Sequence, residues 1–342
     1  MIKIDFCKKK EISEVQKFID DYWKKGHILT NNDILFKWLY ENKKEYNFLV
    51  AKKNENIIAV LGFIKNSHYD LLSINKDIIW LALWKVNEKV SPPGLGLILL
   101  KKLEKINPNI DIAVLGINKD HPPMYKAINY NTGIMDHYYC TNPHIVDFRV
   151  LINSKGKKLP IPKTSICKLK SKNISISDLE NIDNYHNSNN YSNYKTTAYF
   201  INKYLKNPFY NYQLFQLEIE DGRKALIVLR AINITKSKII RVIDFEGDES
   251  IISHAGDFFL KIIQRENAEY IDFLQYGIHK KYFLSCGFKL LNIDNSVIVP
   301  NYFEPFVQKN IPLLFSYKLS NNKNIRIFKG DGDQDRPNLL AT

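Results

Sequence analysis

Three groups of residues in this sequence are of types and spacings that do chemistry. The first is a glycine pair. Trp80-Leu-Ala-Leu-Trp-Lys-Val86 reads as a strand, Asn87–Pro93 as a loop, and Gly94-Leu-Gly96 as the opening of a helix. A strand that runs through such a loop into a helix N-terminus can hold phosphate. Glycine lets the backbone approach closely, and the first-turn N–H groups and helix dipole face the anion. A nicotinamide site would need GxGxxG in the first βα turn and an acidic residue roughly 20 positions on. The third glycine is missing here, and so is a P-loop. The second group is Gly116-Ile-Asn118 at a strand end, followed by Tyr125 and Asn129-Tyr130. The third group is His27, His68 and His137, whose ordinary pKa suits proton removal near neutral pH. Trp38 and Trp84 are flat apolar plates that can wall a cleft or stack on a sugar face. Core or surface packing is the competing role for each of these histidines and tryptophans.

The elements that must position these residues follow from periodicity. Apolar residues at helical spacing mark Glu11–Lys25, and Asp33 can cap a short helix over Ile34–Tyr40. Asn47–Ala51, Ile57–Phe63 and Ile78–Val86 are strand-like, with a longer excursion at Ser67–Lys76 that carries His68. Leu97, Leu99, Leu100 and Leu103 give Gly96–Ile106 a buried helical stripe. Ile110–Gly116 is an apolar strand with both faces covered, Met124–Ile128 a short helix, and Gly133–Cys140 a further strand carrying His137. A Pro- and Lys-containing connector, 151–177, separates this from a recurrence of the same order. Helices at Asp178–Tyr185 and Thr196–Tyr204 precede strands at Tyr212–Glu218, Lys224–Ile234 and Ile239–Glu246. A helix at His254–Glu266, a strand at Tyr270–Gln275, a helix at Lys280–Ser285 and strands near Val297 and Leu314 complete it. The expected architecture is α/β with a mixed sheet, in two consecutive domains: 1–150 and 178–328, followed by a polar tail, 329–342.

Composition bounds the function. At 342 residues with 45% hydrophobic and 13% aromatic side chains, the chain has material for two cores and is not a disordered polymer. No apolar run approaches the roughly 18–20 residues that cross a bilayer. The charged start, Met1–Lys10, and four scattered cysteines without CxxC spacing lead us to expect a reducing, cytoplasmic setting with no disulfide framework and no metal. A net charge of +13 fits nucleic acid, an anionic membrane or a phosphorylated ligand. No block of five or six like charges and no basic stripe with interleaved aromatics occurs, so we expect neither nucleic acid nor an integral membrane segment among its partners.

The strand, the Gly94-Leu-Gly96 loop, the long helix, the strand ending in Asn118 and the following Tyr125 resemble the GNAT superfamily of acyl-CoA-dependent N-acyltransferases over roughly Ile2–Asn142. Two positions depart from the family pattern. Asn129-Tyr130 stands where Gly-Phe is usual, and Ser91 stands where Gln or Arg is usual. The second half resembles the same fold in degenerate form. Phe283 and Gly287-Phe288 repeat the Tyr…Gly-Phe signature, but Asp244-Phe-Glu-Gly-Asp-Glu249 replaces the glycine loop with an acidic one that should repel pyrophosphate. The resemblance implies acetyl-CoA, or another short acyl-CoA, as co-substrate. Leu83, Trp84 and Val86 would lie along the pantetheine, and Gly94, Leu95, Gly96 and Asn118 would complete the coenzyme site. Tyr125 would be the acid, His68 and His27 the candidate bases, and Trp38 and His137 the acceptor wall. The tandem form resembles enzymes of bacterial surface-polysaccharide biosynthesis, which implies a small-molecule acceptor, the amine of an amino sugar, nucleotide-linked. Alternatives are a Fem-like aminoacyl transferase acting on cell-wall precursors, and a non-catalytic binding protein of the same fold.

Overall fold

The computed structural model of the chain describes residues 1–43, 45–70, 77–165, 167–181, 191–234, 236–292, 296–302, 307–321 and 323–337. The chain forms two compact units. The first comprises Met1–Thr132, Phe315–Asn322 and Gly332–Thr342; the second comprises Gly133–Leu314 and Lys323–Asp331. In chain order the early strands are β1 (Ile2–Lys8), β2 (Glu45–Lys53), β3 (Asn56–Lys65), β4 (Ile78–Val86), β5 (Asp111–Ile117) and β6 (Asn131–Ile134). There follow β7 (Asp136–Thr141), β8 (Ile152–Asn153), β9 (Leu169–Ile174), β10 (Tyr212–Ile219), β11 (Lys224–Ile234) and β12 (Ser237–Gly247). The last are β13 (Tyr270–Tyr276), β14 (Lys289–Leu290), β15 (Val297–Ile298), β16 (Leu314–Lys318) and β17 (Ile327–Phe328).

The first unit's sheet has the order β1-β2-β3-β4-β5-β16-β6. β1 to β4 form an antiparallel meander, and β5 lies parallel to β4. A parallel neighbour needs a crossover. Helix α4 (Leu95–Ile106) supplies it and buries Leu95, Leu99, Leu100 and Leu103. Helices α1 (Ile12–Tyr22), α2 (Ile28–Asn31) and α3 (Asp33–Tyr40) precede β2. Their apolar residues join an aromatic core in which Phe36 stacks on Phe48 at 5.3 Å and meets Tyr40 and Tyr46.

The second unit's sheet has the order β14-β7-β13-β12-β11-β10-β9. β10, β11 and β12 are antiparallel, and β13 runs parallel to β12. The crossover helix between them, Gly256–Arg265, buries Phe258, Phe259, Ile262 and Ile263. Three antiparallel strands, a helix and one parallel strand therefore recur in both units.

Long-range pairing gives a division different from the consecutive one read from the sequence. Gly133–Cys140 is two strands, broken at Met135, whose N–H donates to the carbonyl of Leu313 at 2.9 Å. The second of them, β7, pairs with β13 from Tyr270↔Thr141 to Gln275↔Asp136, while β16 joins the first sheet. The connector 151–177 contains β9, an edge strand whose middle residues face solvent and so hide its pairing with β10. Asn32, rather than Asp33, caps α3, because its side chain accepts from the N–H of Leu35 at 2.8 Å. In the polar tail Lys329, Asp331 and Asp333 are all buried. The excursion residues 71–76, the end of the expected helix at 182–185 and the tail residues 338–342 lie outside the described residues. No helix among the described residues is long and apolar enough to cross a membrane.

Candidate active site

The site of the first unit begins where β4 and β5 part. Their parallel pairing runs from Ile78↔Asp111 to Leu81↔Val114 and stops there, although β4 continues to Val86 and β5 to Ile117. On its other side β4 stays paired with β3 through Ala59↔Val86. A register shift between Leu61 and Phe63 sets Ala82 and Leu83 opposite Gly62. Such a bulge re-aims a strand. Gly62 suits this place, because a Cβ there would meet the Phe48 ring at 2.5 Å. Among the described residues the backbone of Ala82–Val86 thus has one edge without a strand partner.

That edge leads into the glycine loop. Gly94 precedes α4 with φ +79, a left-handed conformation that glycine adopts without strain. The N–H of Leu95 turns back to the Pro92 carbonyl at 3.3 Å, and that of Ile98 bonds the Gly94 carbonyl at 3.1 Å. The N–H groups of Gly96 and Leu97 have no backbone partner among the described residues. They are the orphan donors of a helix start, available to an anion. A cavity of about 320 Å³ lies here, lined by Val86, Ser91, Pro92, Gly94 and Gly96, with Glu88 at its wall. The Ser91 hydroxyl is engaged with the Ile58 carbonyl at 3.2 Å, so it braces the loop.

Gly96 also explains how loop and phenol meet. A Cβ on Gly96 would sit 3.0 Å from the indole nitrogen of Trp84, so the indole packs directly on the helix start. The Trp84 ring lies edge-on to Tyr125 with centroids 6.2 Å apart, and Tyr125 tilts onto Tyr130 at 5.5 Å. Tyr130 in turn donates to Glu104 of α4 at 3.3 Å. Burial raises the Tyr125 phenol well above its ordinary value, so it keeps its proton at neutral pH. A proton donor requires that form.

Solved structures with this arrangement of elements exist. A GCN5-related N-acetyltransferase from Anabaena variabilis superposes with a TM-score of 0.55 at 11% identity, covering 94% of this chain and 73% of that one. A GCN5-related N-acetyltransferase from Kribbella flavida gives 0.52 at 8% identity, covering 93% and 71%. This chain has the GNAT fold. No protein-family model matches it, and neither does any curated protein.

Within the GNAT fold of the first unit the other expected residues separate into groups. Leu83 is buried, so only its backbone can serve a ligand, whereas Trp84 and Val86 are half-buried beside the cavity. Asn118 is a turn residue: its carbonyl accepts from the N–H of His121 at 3.0 Å and its side chain from that of Asp120 at 3.4 Å. His68 and Trp38 come together, since His68 Nε2 lies 2.8 Å from the Trp38 carbonyl. A carbonyl only accepts, so Nε2 donates to it. Tyr69 packs against both, at 4.8 Å from His68 and 5.9 Å from Trp38. His27 has a different task. It caps α2, its Nδ1 accepting from the N–H of Leu29 at 3.2 Å, and it packs on Trp23 at 4.5 Å. Burial, reinforced by Arg336, lowers it to about 4, so it is neutral and its lone pair is already used.

Arg336 belongs to the segment that sequence reasoning missed. The tail Gly332–Arg336 is packed into the first unit. A Cβ at Gly332 would lie 3.5 Å from that of Trp80, and one at Gly116 would meet the Gln334 amide at 2.6 Å. Asp333 pairs with Arg336 at 2.9 Å. After burial, its charge is the next influence raising Tyr40 and Tyr69. The alternating Gly and Asp of Gly330-Asp-Gly-Asp-Gln-Asp335 was the available signal.

His137 is placed elsewhere. It lies on β7 in the second unit, paired with Asp272 at 3.1 Å, and so is not part of the first unit's wall. The counterpart of the β4/β5 gap in that unit is filled. β12 and β13 pair only through Val242↔Phe273. Beyond that rung β17 pairs with Gln275 and Tyr276 of β13, and the N–H of Gly330 donates to the Ile243 carbonyl of β12 at 2.7 Å. Asp244 is held by Lys195 at 2.6 Å and by the Tyr204 hydroxyl at 2.5 Å, and Lys195 also pairs with Asp331 at 2.7 Å. Glu246 pairs with Arg326. The expected repulsion by an acidic loop is therefore not what closes this gap: Asp244 and Glu246 are buried and paired, and the chain itself fills the space.

Proposed function

We propose that the first unit is an acyl-CoA-dependent N-acyltransferase. The observation that carries this reading is the strand edge Ala82–Val86, open toward β5 and continuous with the Gly94–Gly96 helix start. In this reading the N–H groups of Gly96 and Leu97 hold the coenzyme's diphosphate. The edge of Leu83–Val86 pairs with its amide-containing arm, and a backbone N–H there polarises the thioester carbonyl. The thioester supplies the activated acyl group. Tyr125 protonates the departing thiolate, and Trp84 holds Tyr125 against the loop. His68, its tautomer set by the Trp38 carbonyl, takes the proton from the attacking amine. His27 and Asn118 brace the site from helix cap and turn.

The acceptor in this proposal is an amine, deprotonated before attack. We take it to be the amine of an amino sugar, nucleotide-linked, in a cytoplasmic step of surface glycan synthesis. A half-buried Trp38 offers that sugar a face. The second unit is read as the same fold repeated, without a coenzyme site. Incubation with acetyl-CoA and a panel of amines, scored by release of free thiol, tests the reading. Turnover with amino-sugar nucleotides supports it in full. Turnover confined to other amines would remove the acceptor assignment, and no turnover with any amine would remove the enzyme.

A further inference from the structure

Three charged side chains meet in the second unit beside the segment that seals the gap between β12 and β13. Lys195, Asp244 and Asp331 are 1%, 0% and 0% exposed there. We propose that the Lys195 amine condenses with the Asp331 carboxyl, giving an intramolecular amide that locks the sealing segment in place.

One ammonium faces two carboxyls. Lys195 Nζ donates to Asp244 Oδ1 at 2.6 Å and lies 2.7 Å from Asp331 Oδ1, the second contact without hydrogen-bond alignment. Lys203, also buried, donates to the Tyr199 hydroxyl at 2.8 Å and the Gly330 carbonyl at 2.6 Å. Aromatic rings flank the ammonium, with Phe328 at 5.0 Å and Tyr199 at 5.7 Å. Asp244 is well provided as an anion: its Oδ1 also accepts the N–H of Phe245 at 2.9 Å, and its Oδ2 the Tyr204 hydroxyl at 2.5 Å. Asp331 accepts the Phe328 N–H at 2.8 Å on Oδ2, while its Oδ1 is buried and unmatched. A buried charge short of donors is unfavourable, so Asp331 is the carboxyl that keeps a proton. Burial raises it above its ordinary value and the Asp244 charge adds to this, against the pull of Lys195 and Lys203.

The three groups then have distinct tasks. Asp244 takes a proton from the ammonium and frees the amine. The nitrogen lone pair bonds to the Asp331 carboxyl carbon, while the Phe328 N–H stabilises the charge that develops on Oδ2. The bond from carbon to Oδ1 breaks, and that hydroxyl leaves as water with the second proton the nitrogen gives up. The products are one amide, one water and a protonated Asp244, so two buried charges disappear without any redox partner. Fixed contact of this kind is worth an effective concentration on the order of 10⁵–10⁸ M, and exclusion of water protects the product from hydrolysis. Asp331 follows Gly330, whose N–H donates to the Ile243 carbonyl of β12 at 2.7 Å, so the amide pins the seal itself. The proposal does not depend on acyl transfer in the first unit.

Mass spectrometry of the full chain in denaturant, intact and after tryptic digestion, tests it. The chain should be lighter than its sequence by one water, and one branched peptide should join the segments that carry Lys195 and Asp331. Lys195→Arg should restore the sequence mass. Asp331→Asn should still cross-link, losing ammonia in place of water, and Asp244→Asn should leave the chain linear. Asp331 precedes Gly332, a pair that can also lose water by closing a succinimide. That ring gives an unbranched peptide and opens in hydroxylamine. The full sequence mass after prolonged incubation of the folded chain, or a loss of water without the branched peptide, overturns the proposal whether or not the variants fold.

Discussion

Two parallel strand pairs, β4/β5 and β12/β13, separate after a few rungs, and their fates differ. The first opens toward a glycine helix start; the second is sealed by the chain's own β17 and the N–H of Gly330. The first presents backbone donors, at Gly96 and Leu97, that have no backbone partner among the described residues. The second surrounds its seal with buried ion pairs, Lys195 between Asp244 and Asp331, and Arg326 against Glu246. One scheme of strands thus yields an open edge or a structural joint according to whether another segment supplies the missing hydrogen bonds. Backbone groups rarely remain unmatched when buried, so an edge left open is the more informative of the two.

The contrast can be broken by substitution, and the largest effect is expected at the joint. Lys195→Met leaves two buried carboxylates without their cation, and should lower the second unit's unfolding free energy by about 3–5 kcal/mol in denaturant titration. An unchanged midpoint would show that the seal is not held by these charges. At the open edge, Tyr125→Phe should lower kcat about 100-fold with little change in KM for acyl-CoA, if the phenol is the acid. A change confined to KM would make Tyr125 a packing residue. Gly96→Leu drives a side chain into the Trp84 indole and over the first-turn donors. It should raise KM for acyl-CoA about tenfold while the second unit melts as before.

The smallest effect is a pH dependence. His27 has its pKa lowered from 6.5 to about 4 in the folded state, so between these values the unfolded chain binds more protons. Stability attributable to His27 is therefore complete above about pH 6.5 and falls as the pH drops toward 4. His27→Asn retains a cap and should flatten that part of the melting profile. An unaltered slope would place the acid sensitivity elsewhere.

Much of this contrast was legible in the sequence, and the reason varies by segment. β4, β11 and the helix Lys280–Ser285 have the extents their residue patterns imply, because burial and local turns define them. The Gly94 turn into α4 was legible because glycine takes the left-handed conformation that precedes the helix there. β1 and β9 were not, since Lys3 and Asp5 interrupt the apolar residues of β1 and the four middle residues of β9 are polar and face solvent. The exchange of β7 and β16 between sheets is a choice of pairing partner, which strand sequences specify only weakly. The packing of the tail was not legible, because its charges find their partners far away in the chain. Asp331 looks solvated until Lys195 is beside it. His137 was read into the first domain because the pairing of its strand with β13 joins residues far apart in the chain.

The claim that one gap is open and the other sealed is tested most directly by counting coenzyme. Calorimetric titration of the full chain with acetyl-CoA should give one site per chain, lost or weakened about tenfold in Gly96→Leu and unaltered when β17 is perturbed by Phe328→Ala. Two sites per chain, or a single site indifferent to Gly96→Leu, would contradict the account.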